Sequence, residues 1–152
     1  MIKKSLLLML ALAALAAAWA GCGSGSGTNS DVTKGELLAQ GDEICWKALK
    51  AQEAAFQSAI TEGIEEEATK FDPEKQKAFM KQVSGSVSDM VEELSDLGAP
   101  SGDESAVERI LTEYESGVSE VEMNPQAYLS GDAFKKADAA AHAYGFKKCG
   151  SL

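Results

Sequence analysis

A chain of 152 residues with 45% apolar and 7% aromatic side chains supports one domain with a core, not two. Its 24 acids against 14 bases, a formal charge of −10, argue against a nucleic-acid binder, which needs a basic patch to displace phosphate counterions. Scarce aromatics and abundant Ala, Glu, Lys and Leu favour helices over a β-sandwich.

The first residues read as an address. Met1-Ile2-Lys3-Lys4 is a basic start, and Leu6 to Ala20 is an apolar run of 15 residues. A bilayer span takes about 20 apolar residues, so the run fits a secretory signal better than a permanent anchor. Trp19-Ala20-Gly21-Cys22 resembles the bacterial lipobox, in which a signal peptidase cuts before a Cys carrying a diacylglyceryl thioether. Ala20, Gly21 and Cys22 match; Trp19 departs, an aliphatic residue being usual there. The resemblance implies that residues 1–21 are a lipoprotein signal peptide and that Cys22 is the lipidation site, carrying palmitate-type acyl chains. Two alternatives stay open: a plain secreted chain cut near Ala20, and an uncleaved N-terminal anchor. All three place the domain outside the cytoplasm.

Residues 22–32 form a tether, with Gly23-Ser24-Gly25-Ser26-Gly27-Thr28-Asn29-Ser30 behaving as a coil roughly 15 Å from end to end. Removal of residues 1–21 leaves 131 residues with 24 acids against 12 bases, a charge of −12. An anionic membrane repels such a surface, so attachment is expected through lipid and not through a polybasic patch.

From Thr33 to the end, residues 33–152 read as a helical domain. The first segment runs to about Lys70, with Leu38, Cys45, Leu49, Phe56, Ile60 and Ile64 on one stripe. Gly41-Asp42 interrupts it and can start a new helix, with Asp42 as its cap. Glu65-Glu66-Glu67 sits badly near a helix C-terminus and is expected on a solvated face. Asp72-Pro73-Glu74 opens the second segment, whose stripe is Phe79/Met80, Val83, Val87, Met90/Val91, Leu94 and Leu97, closed by Gly98 and Pro100. Gly85 and its neighbouring serines suggest close helix packing. Ser101-Gly102-Asp103-Glu104 reads as a capping box for the third segment, which turns Val107, Ile110/Leu111, Tyr114, Val118 and Val121 inward. Asn124-Pro125 ends it, and Pro125 can open one turn through Leu129. The last segment starts at Asp132, buries Phe134, Ala137, Ala141 and Tyr144, and stops at Gly145, with Phe146 placed for a Schellman contact. Short connections make consecutive helices antiparallel, so the expected fold is all-α, an up-down-up-down four-helix bundle.

That bundle makes a demand on the cysteines. Cys45 to Lys70 is 26 residues and Pro73 to Leu97 is 25, each spanning about 38 Å as helix. A descending fourth helix, extended by residues 145–149, returns Cys149 to the level of Cys45. A Cys45–Cys149 disulfide linking the first helix to the C-terminus is natural there and is permitted outside the cytoplasm. Two free buried cysteines are the alternative. Lipidation of Cys22 leaves an even pair.

Asp42-Glu43-Ile44-Cys45, together with Gly145-Phe146-Lys147-Lys148-Cys149-Gly150, resembles small exported proteins and lipoproteins of actinobacteria that share an Asp-x-Ile-Cys start and a Gly-Phe-x-x-Cys-Gly finish. The resemblance covers the two ends of residues 35–150. It implies a helical fold and a Cys pair and carries no activity with it.

Catalytic chemistry is hard to place. His142 is the single histidine, and no Glu-x-x-His pair or Cys/His cluster has the spacing of a metal site. No Gly-x-Ser-x-Gly elbow frames a nucleophile and no EF-hand loop occurs. The acids at Glu62, Glu65, Glu66 and Glu67, and at Glu113, Glu115, Glu120 and Glu122, read as solvated faces. The expectation is a non-enzymatic, monomeric, lipid-anchored module that binds a protein or another cell-envelope component outside the membrane, with no cofactor, no metal and no nucleic acid. Its alternative is a carrier of a small apolar or cationic ligand in a gap near Trp46, Phe56 or Tyr114.

Overall fold

The computed structural model describes residues 32–61 and 73–151. Within them lie five helices and no strand: α1 (Lys34–Thr61), α2 (Pro73–Leu97), α3 (Glu104–Met123), α4 (Pro125–Leu129) and α5 (Lys135–Tyr144). Ile64, the Glu65–Glu67 cluster, the Asp72 cap and the leader with Cys22 fall outside the described residues. α1 packs on α2, α2 on α3, and α3 on both α4 and α5.

α1 departs from its expected stripe. Its buried residues are Leu37, Gly41, Ile44, Cys45, Ala48, Gln52 and Ala55, whereas Phe56 and Ile60 are 51% and 42% exposed. Four of these seven, Gly41, Cys45, Ala48 and Ala55, are small, and an apolar-stripe reading underweights them in favour of bulky residues. Nor does Gly41-Asp42 break the helix. Gly41 is buried because the Phe146 ring lies 2.5 Å from where a Cβ would project, so the position needs glycine for space and not for a turn. The reciprocal capping box of the chain sits at the start of α1. Thr33 Oγ1 accepts the Glu36 N–H at 3.3 Å while the Glu36 carboxylate accepts the Thr33 N–H at 3.0 Å. The hydroxyl bond from Thr33, then its N–H, hold the Glu36 carboxyl below its usual range.

α2 follows its pattern, with Phe79, Met80, Val83, Val87, Met90, Val91 and Leu94 buried and Leu97 packed against them. Gly98 takes a left-handed φ of 74° to end it. Gly85, however, is exposed, and a Cβ there meets nothing within 4 Å. The adjacent Ser84, Ser86 and Ser88 hydroxyls turn back onto main-chain carbonyls of their own helix instead of reaching a neighbour. Gly85→Ala is therefore expected to stabilise the domain by about 0.5–1 kcal/mol in urea unfolding, since it removes unfolded-state freedom at no packing cost.

α3 buries Val107, Ile110, Tyr114 and Val121 as its pattern predicts, and Gly117 besides. At Gly117 a Cβ would stand 2.4 Å from the Phe134 ring and 2.7 Å from the Ala133 carbonyl oxygen, so the segment before α5 presses directly on the α3 backbone. The expected capping box at Ser101–Glu104 does not form. Asp103 is the N-cap residue without a side-chain cap bond, because its carboxylate accepts the Tyr144 hydroxyl at 2.8 Å and lies 3.7 Å from Lys34 Nζ. Glu104 instead accepts the Gly102 N–H at 2.8 Å. Pro125 opens the short α4 as expected.

α5 begins at Lys135, three residues later than Asp132 suggests, with Asp132 engaged by the Ser130 hydroxyl at 2.8 Å. Phe134, Ala137 and Ala141 are buried. Its end is a Schellman turn: Gly145 has φ 123°, the Phe146 N–H bonds the Ala141 carbonyl and the Gly145 N–H bonds that of His142, each at 3.1 Å.

Candidate functional site

The chemistry expected of the cysteines is present. Cys45 and Cys149 form a disulfide, with S–S 1.99 Å and Cα atoms 5.0 Å apart, and both residues are fully buried. The route to it differs from a simple descent. Lys34 Nζ stands 4.0 Å above the Tyr144 ring, so α5 ends at the level of the first turn of α1, below Cys45. The Gly145 turn then reverses the chain. Residues 145–149 climb α1 in its own direction, from a site beside Leu38, past Gly41, to Cys45.

This C-terminal strap makes four successive contacts with one helix face. The Phe146 ring, 3% exposed, fills the hollow at Gly41. The Asp42 carboxylate then accepts the Lys147 N–H at 2.9 and 3.2 Å and the Lys148 N–H at 2.7 Å. Asp42 is thus no helix cap; it tethers backbone more than 100 positions away. The Lys148 amine lies 4.8 Å from the centre of the Trp46 ring, as does that of Lys50 on the same helix. Cys149 closes the series. Sequence reading found the two cysteines but missed Gly41, Asp42 and Trp46 as partners of the strap; the shared spacing of Gly-Asp-x-x-Cys and Gly-Phe-x-x-Cys was the available signal.

The interior residues proposed for a ligand gap behave differently. Tyr114 is fully buried and its hydroxyl donates to Asp138 at 3.1 Å, so it fills space instead of lining it. Phe56 is half exposed, its ring stacked at a tilt 6.4 Å from Phe79. Two grooves of about 440 and 450 Å³ lie elsewhere, one where α3 meets α4 around Asn124 and Leu129, the other between α2 and α3 around Val91 and Val118. The second is rimmed by Glu92, Asp96 and Glu115. His142 is exposed on α5, its ring edge against Gly150. Among the described residues no three His, Cys, Asp or Glu side chains gather as metal ligands.

Burial pushes the Tyr114 hydroxyl far above its ordinary value of 10.0, and the Asp138 carboxylate adds to the effect. Burial, aided by Asp103, likewise pushes Tyr144 up to about 12. Both groups favour the neutral form in the folded state. Their contribution to stability is whole below pH 10, where the unfolded tyrosines stay protonated, and falls as pH rises beyond it. Alkaline titration followed at the phenolate absorbance is expected to show ionisation of these two tyrosines delayed until the domain unfolds, and Tyr114→Phe is expected to flatten the loss of stability above pH 10.

No family model, curated protein or solved structure matches this chain.

Proposed function

We propose that this chain is a lipid-anchored, non-enzymatic helical module that binds a protein at the outer face of a bacterial membrane. The observation that carries the reading is cysteine parity. Of three cysteines, Cys45 and Cys149 are joined and buried, which leaves Cys22 alone in a lipobox-like setting. A stable structural disulfide belongs to an exported domain. An odd exported thiol is a liability that thioether formation removes. In this reading residues 1–21 are the signal peptide, residues 22–32 the tether, and the domain is a monomer without cofactor. Its four longer helices run alternately up and down, a topology consistent with the six-residue link from Leu97 to Glu104 and with the order in which neighbours pack.

Intact mass of chain recovered from bacterial membranes tests the address. A mass beginning at Cys22 with diacylglycerol added is expected, and incorporation of an alkyne-bearing fatty acid should vanish in Cys22→Ala. An unmodified Cys22, or retention of residues 1–21, overturns the anchor. Cross-linking on intact cells, followed by identification of a partner that recurs with the wild-type domain, tests the binding role; consistent recovery of the domain alone rejects it.

A further inference from the structure

The two ends of the domain meet through more than sulfur, and the order of events at that junction can be read from the contacts. Gly41, Asp42, Cys45 and Trp46 occupy two adjoining turns of α1. Each has one counterpart in the strap: the Phe146 ring at Gly41, the Lys147 and Lys148 N–H groups at Asp42, the Lys148 amine at Trp46, and Cys149 at Cys45. Three of these four contacts need no covalent bond. The carboxylate contact is charge-assisted and takes two consecutive N–H donors on one anion, an arrangement that fixes both position and direction of the backbone. Fixing the backbone at 147 and 148 leaves little freedom at Cys149, the next residue.

We infer that the strap is a latch that docks through Gly41 and Asp42 by itself, and that the disulfide locks a junction already formed. Docking holds the Cys149 thiol against Cys45, so that once either sulfur forms a mixed disulfide with a small-molecule disulfide, the other thiolate displaces the small thiol. One external disulfide is thereby reduced to two thiols as the protein's bond forms. After closure the same contacts shield the bond. Both cysteines are 0% exposed, so a reductant reaches them only when the strap lifts.

The test uses the full chain with Cys22 replaced by Ala, oxidised and folded, exposed to excess dithiol under native conditions. Asp42→Ala is expected to speed reduction of the Cys45–Cys149 bond about tenfold, the scale of a charged hydrogen bond lost at a partly buried site. Asp42→Asn, which keeps one acceptor oxygen, is expected to fall between, with helix content unchanged in both. Equal rates in wild type and Asp42→Ala overturn the latch. A second measurement takes the sulfur away. In Cys45→Ala/Cys149→Ala the Lys147 and Lys148 amides are expected to remain protected from hydrogen exchange, and adding Asp42→Ala abolishes that protection. Exchange at free-chain rates in the double alanine variant, or loss of its fold, shows that sulfur alone holds the end and rejects the inference.

Discussion

Replacing both Cys45 and Cys149 by alanine is expected to lower the free energy of unfolding by about 3–5 kcal/mol. The bond joins positions 104 apart, and the chain-entropy treatment assigns about 4.7 kcal/mol to a loop of roughly that length. Alanine leaves small voids in place of sulfur, which add to the loss, while a strap that docks without the bond keeps the unfolding transition single. A domain of this size holds about 5–15 kcal/mol in total, so the loss is a large share of it and a melting point lower by about 12–25 °C is expected. Calorimetry of the two forms at equal concentration measures this. A deficit under about 1 kcal/mol would mean that the unfolded chain is already compact enough for the crosslink to restrict little.

Tyr114→Ala is expected to cost about 3–5 kcal/mol, the range for emptying a large aromatic site in a core. The ring is wholly buried at the α3–α5 boundary, 6.3 Å from the Phe134 ring. Phe134 itself is pinned against Gly117, so collapse into the void is restricted. Tyr114→Phe separates packing from polarity. It keeps the ring and removes only the hydroxyl that donates to Asp138, so a loss of about 1 kcal/mol is expected. Urea unfolding of the three proteins resolves the two contributions, and near-equal losses for Phe and Ala would place the stabilisation in the hydrogen bond instead of the ring.

How much of this was legible in the sequence depended on side-chain size and on distance along the chain. α2 was readable because its inward residues are bulky and regularly spaced from Phe79 to Leu94. α1 was misread in phase, because the face that enters the core carries Gly41, Ala48 and Ala55 while Phe56 and Ile60 stay partly in solvent. Helix ends were legible where the backbone demanded a residue type, as at Gly98, Pro125 and Gly145, each tied to a left-handed or fixed φ. Polar residues were less so. Asp42 and Asp103 both look like local caps, yet each is claimed by a distant partner, the strap in one case and Tyr144 in the other. Local motif rules cannot anticipate that competition, since the partner arrives only with the tertiary fold. The glycines illustrate the same limit: Gly41 and Gly117 admit a neighbour, Gly85 admits nothing, and all three sit in helical patterns. The disulfide was legible because the expected return of the chain end to the level of Cys45, the even pair left by the expected lipidation of Cys22 and the expected exported address all pointed to the same bond.

The Lys148 amine over the Trp46 ring has an optical consequence. A chain cut before Cys22 retains Trp46 as its single indole, since the other tryptophan is Trp19. That fluorophore adjoins Cys45 in sequence and stays 46% exposed, with a cation from the far terminus near its π-face. Its emission wavelength and brightness therefore serve as a built-in gauge, readable without any added dye, of whether the two termini of the folded domain are together or apart.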